Sequence, residues 1–541
     1  MQSSTEKTYV SYLDYKGKHS GIMGWLTSTD HKRIGLLYLF SIMVFFIVAA
    51  FLGMAMRAEK FVPGEVIMGP QTYNGILTLH GIIMIFIVVI PGLTAVFGNF
   101  FLPLMIGARD VMFPRLNLFS WYLFIIGAIL GLMSQFMGGH TPDTGWTFYV
   151  PYSAVSKTNV IWALTAAFVL GFSSILTGIN FIVTIHRMRA PGMGWFKMPL
   201  FPWSLYATAW IQVLATPIVG VTLLMVIAER VLQIGFFDPA LGGDPVLFQH
   251  LFWIYSHPAV YIMILPAMGV VSEIFPTFSR KPIFGYGAIV VSSLAIAFVG
   301  YFVWGHHMFT SGMSYWSRWF YSFLTFIVAI PSAIKVFNWI STLYGGSINI
   351  KPPLLFAIAF VFLFMIGGFT GLTLGSLATN IHLHDTDFVV AHFHYIIFGG
   401  MGFAFFAATH YWYPKMFGVM YSIKRAYAAL GIIFVGFNLT YFPLFVMGMQ
   451  GMPRRYYDYL EQFQPGQQLS TIGAVILLIG LLFMIGNLFV TRKLKESESN
   501  IWGGVTLEWQ TPTPPPLENF DEIPEIKTPP YLFKKEKNEQ L

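Results

Sequence analysis

Six of the fourteen histidines, His80, His257, His306, His307, His392 and His394, fall inside long apolar stretches of the chain. An imidazole in hydrocarbon is costly unless paired, and ionisable residues at membrane depth commonly mark a functional pathway. One such histidine is ordinarily a hydrogen-bonded contact between helices. Six point to a buried metal centre, because imidazole nitrogen suits iron, copper and zinc. The chain has no cysteine, which excludes disulfides, iron–sulfur clusters and thiolate copper sites and leaves nitrogen and oxygen as ligands.

Spacing divides the six. His392 and His394 are two positions apart, so on a helix they point about 200° away from each other and cannot share an ion. One helix must therefore separate two cofactors. His80, from another span, can face one of them; bis-histidine ligation fills both axial positions of a heme and leaves an electron carrier. The other histidine of the pair offers a single axial ligand and an open position. His257, His306 and His307 make a three-nitrogen set that suits copper. His257 and Tyr261, in YSHPAVY, are at i and i+4 on one helix face, which sets a phenol beside a copper ligand. His384 precedes Asp385, a pair that fits a Mg or Mn site or a helix cap. Arg454 and Arg455 read as an anion clamp, since arginine forks carboxylates and stays charged.

The elements that position these residues are membrane helices. The chain of 541 residues is 56% hydrophobic and 10% charged with a mean hydropathy of +0.65, whereas soluble domains carry about 25% charged residues. An all-α, polytopic membrane protein follows. Spans near 20 residues or longer, as a bilayer core of about 30 Å requires, fall at about twelve places: 34–57, 75–105, 118–138, 159–186, 204–233, 247–275, 284–305, 317–343, 353–376, 388–412, 426–449 and 470–491. Counted along them at about 1.5 Å per residue, all six histidines come to roughly the same depth, in the outer third to half of the bilayer. An even number of spans puts both termini on one side. Lys16, Lys18, Lys32, Arg33, Arg187, Arg189, Lys197, Arg280, Lys281, Lys415, Lys424, Arg425, Arg492, Lys493 and Lys495 flank that face, which makes it cytoplasmic. The chain divides into an N-terminal segment, 1–33, without a cleavable leader, a helical domain, 34–492, and a Pro-rich charged tail, 493–541, that reads as extended and poor in hydrogen bonds.

Taken together, TLHGIIMIF (78–86), YSHPAVY (255–261), WGHHMFTSGM (304–313), IPSAIKVFNW (330–339), HDTDFVVAHFHYIIFGG (384–400) and GMPRRYYDY (451–459) resemble subunit I of the heme-copper oxidases, in the cytochrome c oxidase branch. The resemblance runs from about Trp25 to Trp509. It implies that His80 and His394 ligate a low-spin heme, with Arg57 at its formyl group, and that His392 ligates a high-spin heme. It implies copper on His257, His306 and His307, Tyr261 linked covalently to His257, heme propionates on Arg454 and Arg455, and a Mg or Mn ion on His384 and Asp385. Hemes of the A type, a subunit II carrying the electron-entry copper site, further small subunits, cytochrome c, dioxygen and the lipid bilayer complete the expected partners, nucleic acid not among them. A prokaryotic inner membrane is the expected location.

Two proton routes can be traced. Lys335 lies in the inner half of span eight with Ser332 one turn before it, and a buried lysine exchanges its proton readily. The resemblance continues this route through Ser272 to Tyr261. A second route starts at Asp110 in an inner loop, with Asn99 and Asn117, and reaches Ser173 and Ser174 in span four; the lesser alternative is that Asp110 pairs with Arg109 or Arg115. Most relatives carry a glutamate where this chain has Ala259; the chain resembles instead the branch with a Tyr–Ser pair, here Tyr255 and Ser256, one helical turn earlier, so the Tyr255 hydroxyl can take up the vacated space.

Three other functions are weighed. A quinol oxidase of the same fold carries an arginine and an aspartate on span one and a His and a Gln before the span-two ligand, where this chain has Val48, Leu52, Thr72 and Gly75. A heme-free transporter would show repeat symmetry and broken helices. A nitric oxide reductase lacks the tyrosine of the motif.

Overall fold

The computed structural model describes residues 9–533 apart from 18 and 138; residues 1–8, Lys18 and 534–541, parts of the expected terminal segments, lie outside the described residues. Apolar composition over long runs gives eleven helices long enough to cross a membrane and one shorter apolar helix, Tyr286–Gly300. In chain order they are α1 (His31–Glu59), α2 (Pro70–Ile106), α3 (Pro114–Met133), α4 (Val160–Arg187), α5 (Leu200–Leu232), α6 (Pro245–Ser279), α7 (Tyr286–Gly300), α8 (Tyr315–Leu343), α9 (Pro352–Gly375), α10 (Asp387–Phe417), α11 (Ile423–Met449) and α12 (Glu461–Phe489). Each of the twelve expected spans overlaps one of these helices, the seventh only as the shorter α7.

Local chemistry starts and bends these helices. Asp30 caps α1 by accepting from the Lys32 and Arg33 amides, Asp244 caps α6 through the Val246 amide, and Thr386 caps α10 through the Phe388 amide. α2 widens into π-helical turns at Ile83–Val89 and Gly92–Gly98, and α10 does so at Ile397–Gly402. Such turns insert a residue into the helical ladder and are frequent at functional sites. Here the first and the last begin within one turn of His80 and His394.

α6 lies at the centre, with 89% of its most apolar stretch buried, while only 22% of the corresponding stretch of α8 is covered. A helix walled on every side by protein can carry polar groups that a lipid-facing helix cannot. Pro258, inside α6, removes the amide that would bond one turn back, next to His257.

The tail differs from its expected form. Trp502, Leu507, Trp509 and Tyr531 are buried, the Trp502 and Trp509 indoles donate to the Tyr411 carbonyl and hydroxyl, and the Tyr531 hydroxyl donates to Glu273. The Tyr12 amide bonds the Pro515 carbonyl, so both ends lie on one face, called inner below. Proline composition suggests an unpacked chain, but the tryptophans ahead of the prolines bury enough apolar surface to hold it against the bundle.

Candidate metal centre

Three imidazoles converge at the outer end of α6. His257 lies on α6, and His306 and His307 lie on a short turn, Trp304–Met308, rather than closing α7. α7 stops at Gly300, where a Cβ would stand 2.4 Å from the Tyr261 ring; ending the helix there lets the next turn fold back over α6. One nitrogen from each ring lies within 4.8 Å of the others. His257 Nδ1 and His307 Nε2 face each other at 3.0 Å, and His306 Nδ1 donates to Thr325 Oγ1 at 3.0 Å, which frees its Nε2. His307 stacks on Trp253 with centroids 3.8 Å apart and planes 4° apart, and the Trp253 indole donates to the Tyr149 hydroxyl at 2.6 Å.

Two facing imidazole nitrogens need a proton or a cation between them. A third nitrogen close by and no carboxylate or thiolate in the set fit a copper ion, with the outer partners fixing each tautomer. His257 Nε2 is buried without a hydrogen-bond partner, and the Tyr261 ring lies 4.8 Å from the His257 ring.

The three remaining histidines each donate Nδ1 to a carbonyl: His80 to Ala49 at 2.8 Å, His394 to Val390 at 2.8 Å and His392 to Gly367 at 3.0 Å. That bond leaves Nε2 as the free lone pair, the arrangement of an axial ligand. His392 faces α9, where a Cβ on Gly371 would come within 3.0 Å of its ring. His394 faces α11 and stacks on Tyr441 at 4.1 Å. A cavity of about 950 Å³ is lined by the triad, His392, Tyr261, Arg454 and Arg455. It stands at the top of the range of ligand pockets, roughly 300–1,000 Å³, and the residues present fit a macrocycle with His392 on one side and the triad on the other.

Arg454 spends its charge on Asp385, Nε to Oδ1 at 2.6 Å. Arg455, with φ of 72°, donates among the described residues to Thr147 Oγ1, at 3.4 Å from both terminal nitrogens. Burial, then the neighbouring Arg454, pushes its guanidinium down to about 10. A desolvated guanidinium without a carboxylate is a receptor for an anion. His384 Nδ1 approaches Asn380 Oδ1 at 3.2 Å, and its Nε2 lies 3.7 Å from Asp385 Oδ2. Burial works to raise the Asp385 carboxyl, but Arg454 and His384 outweigh it and hold it below the usual carboxylate range. Arg57 donates to Ser470 Oγ at 2.6 Å and shares the surroundings of His394 with His80.

Lys335 is 1% exposed and donates to Ser293 Oγ on α7 at 2.6 Å. Ser293 was not among the expected residues; it sits on a neighbouring span, with no spacing signal linking it to Lys335. Ser332 lines the large cavity, as do Tyr255 and Ser256. Ser272 instead accepts from the Trp339 indole at 2.9 Å and donates to the Met268 carbonyl.

On the other route, Asp110 lies half-buried in the α2–α3 loop, with Oδ1 accepting from the Val111 amide at 2.6 Å, and it forms no ion pair among the described residues, Arg109 and Arg115 included. Asn99 Oδ1, both amide atoms of Asn117 and Ser174 Oγ are buried without partners. Ser173 donates to the Ser120 carbonyl at 2.7 Å. Ser173 and Ser174 line a second cavity of about 20 Å³, room for one water, and Phe86 separates it from the large cavity by lining both.

A twelve-helix membrane bundle with an imidazole triad beside a large cavity, and two histidines on opposite faces of one helix, defines a membrane metalloprotein built for heme and copper. Residues 33–476 match the family described as Cytochrome C and Quinol oxidase polypeptide I. The chain belongs to that family, the catalytic subunit I of the heme-copper oxidases. It is 43% identical to cytochrome c oxidase subunit 1 of Thermostichus vulcanus, covering 95% of this chain and 93% of that one. It is 45% identical to the protein of that name from a Synechocystis species, with 93% and 91% covered, and 40% identical to that from Cereibacter sphaeroides, with 92% and 95% covered. A cryo-EM structure of a heme-copper terminal oxidase dimer shares the fold, with a TM-score of 0.71 and 21% identity over 86% of this chain and 85% of that one. The chain is thus an oxidoreductase and a multi-pass membrane protein that works in complex with other oxidase subunits.

Proposed function

We propose that this chain is the dioxygen-reducing subunit of a cytochrome c oxidase that also moves protons across the membrane. The observation that carries the reading is the pair His392 and His394, whose rings leave α10 on opposite sides with both Nδ1 atoms tied to carbonyls. When bound, the hemes and copper supply the electron path and the centre at which dioxygen is reduced to water.

His80 and His394 would hold the low-spin heme and His392 the high-spin heme, both of the A type, with Arg57 beside the formyl group. His257, His306 and His307 would hold copper. Tyr261 would be joined to His257 Nε2, a two-electron oxidation that dioxygen can drive, and would supply an electron and a proton. Arg454 and Arg455 would bind propionates, Arg455 forming no ion pair among the described residues. His384 and Asp385 would contribute to a Mg or Mn site, with Asp385 shared between the ion and Arg454.

Protons would enter from the inner face along two lines. Lys335 would carry them past Ser332 into the cavity at Tyr261, with Ser293 holding its ammonium and Ser272 acting through Trp339. Asp110 would pass them by water along Asn99, Asn117, Ser173 and Ser174 towards Tyr255 and Ser256. The Tyr255 hydroxyl has no hydrogen-bond partner among the described residues, and Ser256 Oγ is buried without one. The partners would be a subunit II with the electron-entry copper, small subunits and cytochrome c, in a prokaryotic inner membrane with both termini cytoplasmic.

The test is oxygen consumption by the purified complex with reduced cytochrome c against a quinol, together with metal analysis of the complex and of its His307→Ala variant. Cytochrome c is expected to sustain turnover and quinol not, and the variant is expected to lose copper while keeping both hemes. Turnover on quinol alone would overturn the donor, and full copper in the variant would overturn the triad.

A further inference from the structure

The tail crosses the inner face and reaches the loop that carries Asp110. Asn519 is 1% exposed and adopts φ of 62°, a left-handed conformation that asparagine tolerates better than most residues. Its Nδ2 donates to the carbonyls of Ala108 at 2.9 Å and Arg109 at 3.0 Å, the two residues ahead of Asp110, and meets His31 Nε2 at 2.8 Å. Its Oδ1 accepts from Lys32 Nζ at 2.7 Å. The same ammonium meets Asp30 Oδ2 at 2.9 Å and the Leu517 carbonyl at 2.9 Å, so its three protons each have an acceptor.

We propose that Asn519 is a positioning residue of the proton entrance: its side chain fixes the peptide groups ahead of Asp110 and helps hold the Lys32 ammonium on Asp30 and the tail, leaving the Asp110 carboxyl free to take a proton from the inner bulk and hand it inward. This rests on the reading of Asp110 as that entrance. In the step, a proton leaves an Asp110 oxygen for a water leading inward, and a proton from the bulk replaces it; no electron moves. The groups that face the carboxyl fit the role. Burial, then the Asp30 carboxylate, raises Asp110 to about 8, against a smaller lowering by the Val111 amide, Lys32 and the His31 backbone. A proton carrier of this kind works below its pKa and fails as pH rises through it. Loss of the Asn519 side chain lets water into the loop, and relief of the burial that is the largest cause of the rise lowers the Asp110 value.

The experiment follows proton uptake from the inner bulk by the complete, reduced oxidase complex in vesicles after mixing with dioxygen, across a range of pH. Four forms are compared: wild type, Asp110→Asn, Asn519→Gly, which keeps the positive φ, and Tyr531→Phe, which loosens the tail at Glu273 instead. Asp110→Asn is expected to abolish the uptake phase. Asn519→Gly is expected to keep the plateau at low pH while the midpoint of the decline falls by about one unit, the ordinary scatter of carboxyl values in folded proteins. Tyr531→Phe is expected to leave the midpoint in place.

A wild-type midpoint in Asn519→Gly, an equal fall at every pH, or the same shift in Tyr531→Phe overturns the positioning role while Asp110 stands. Normal uptake in Asp110→Asn overturns the entrance itself and the inference with it. If Asn519→Gly does not assemble, Asn519→Ala removes the same Nδ2 donors and must lower the midpoint likewise; an unmoved midpoint there is equally fatal.

Discussion

His392 and His394 share a helix but face different ones: the first donates to the Gly367 carbonyl of α9, while the second stacks on Tyr441 of α11. α10 is therefore a wall between two ligand sites. His392→Ala is expected to remove the ligand-binding heme from the optical spectrum and to leave the six-coordinate one, and His394→Ala is expected to do the reverse. Loss of the same spectral component in both variants would contradict the assignment.

The Lys335–Ser293 bond crosses from α8 to α7 at 2.6 Å. No other lysine, arginine or histidine lies within α8 inward of Lys335. Lys335→Met is expected to keep both hemes and to cut turnover by about two orders of magnitude or more, the scale of a lost proton-transfer group, with the high-spin heme reduced slowly. Ser293→Ala, which removes only the tether, is expected to give a smaller loss of the same kind. Stopped-flow reduction kinetics separate the two, and a Lys335→Met enzyme that is reduced at the wild-type rate would redirect the route.

Much of the site was legible in the residues. Twelve apolar runs and the two-residue gap between His392 and His394 carry geometry in themselves, because helical pitch converts spacing into direction. The place of His306 and His307 was harder to see: apolar composition runs on past Gly300, and the close approach of Gly300 to the Tyr261 ring is a contact remote in sequence. Ser293 and Asn519 were invisible for the same reason. Each acts on a residue that the fold alone brings near, and the composition of 493–541 points away from a packed strap.

Glu508 in that strap is buried, and its Oε2 has no partner. Burial pushes its carboxyl up to about 7, against smaller lowering contributions that begin with the Thr506 hydroxyl. A carboxyl raised in the folded state binds its proton more tightly there than in the unfolded chain. Stability of the docked tail therefore falls as pH rises from the ordinary glutamate range to about 7 and is level above it. Protease cleavage within the tail should become faster over that window, and Glu508→Gln should abolish the change. Cleavage that quickens equally in the variant would assign the effect to another group.

Tyr255 stands one turn before Ala259 on α6, buried at 3% exposure and lining the large cavity. Its hydroxyl makes no hydrogen bond among the described residues, so it is available to a water on the line from Ser173 and Ser174. A hydroxyl can relay a proton between waters without a net change of charge. Tyr255→Phe keeps the ring and deletes only that relay, so it should slow oxidation of the reduced enzyme by roughly ten-fold to a hundred-fold, the lower end of acid–base contributions, and uncouple pumping with the heme spectra intact. Adding Ala259→Glu to this variant should restore both, because a carboxylate one turn away reaches the same space. If Tyr255 only fills volume, Phe fills it as well, and proton uptake and pumping stay at wild-type levels; that result would leave the line from Asp110 to end on Ser256 and water.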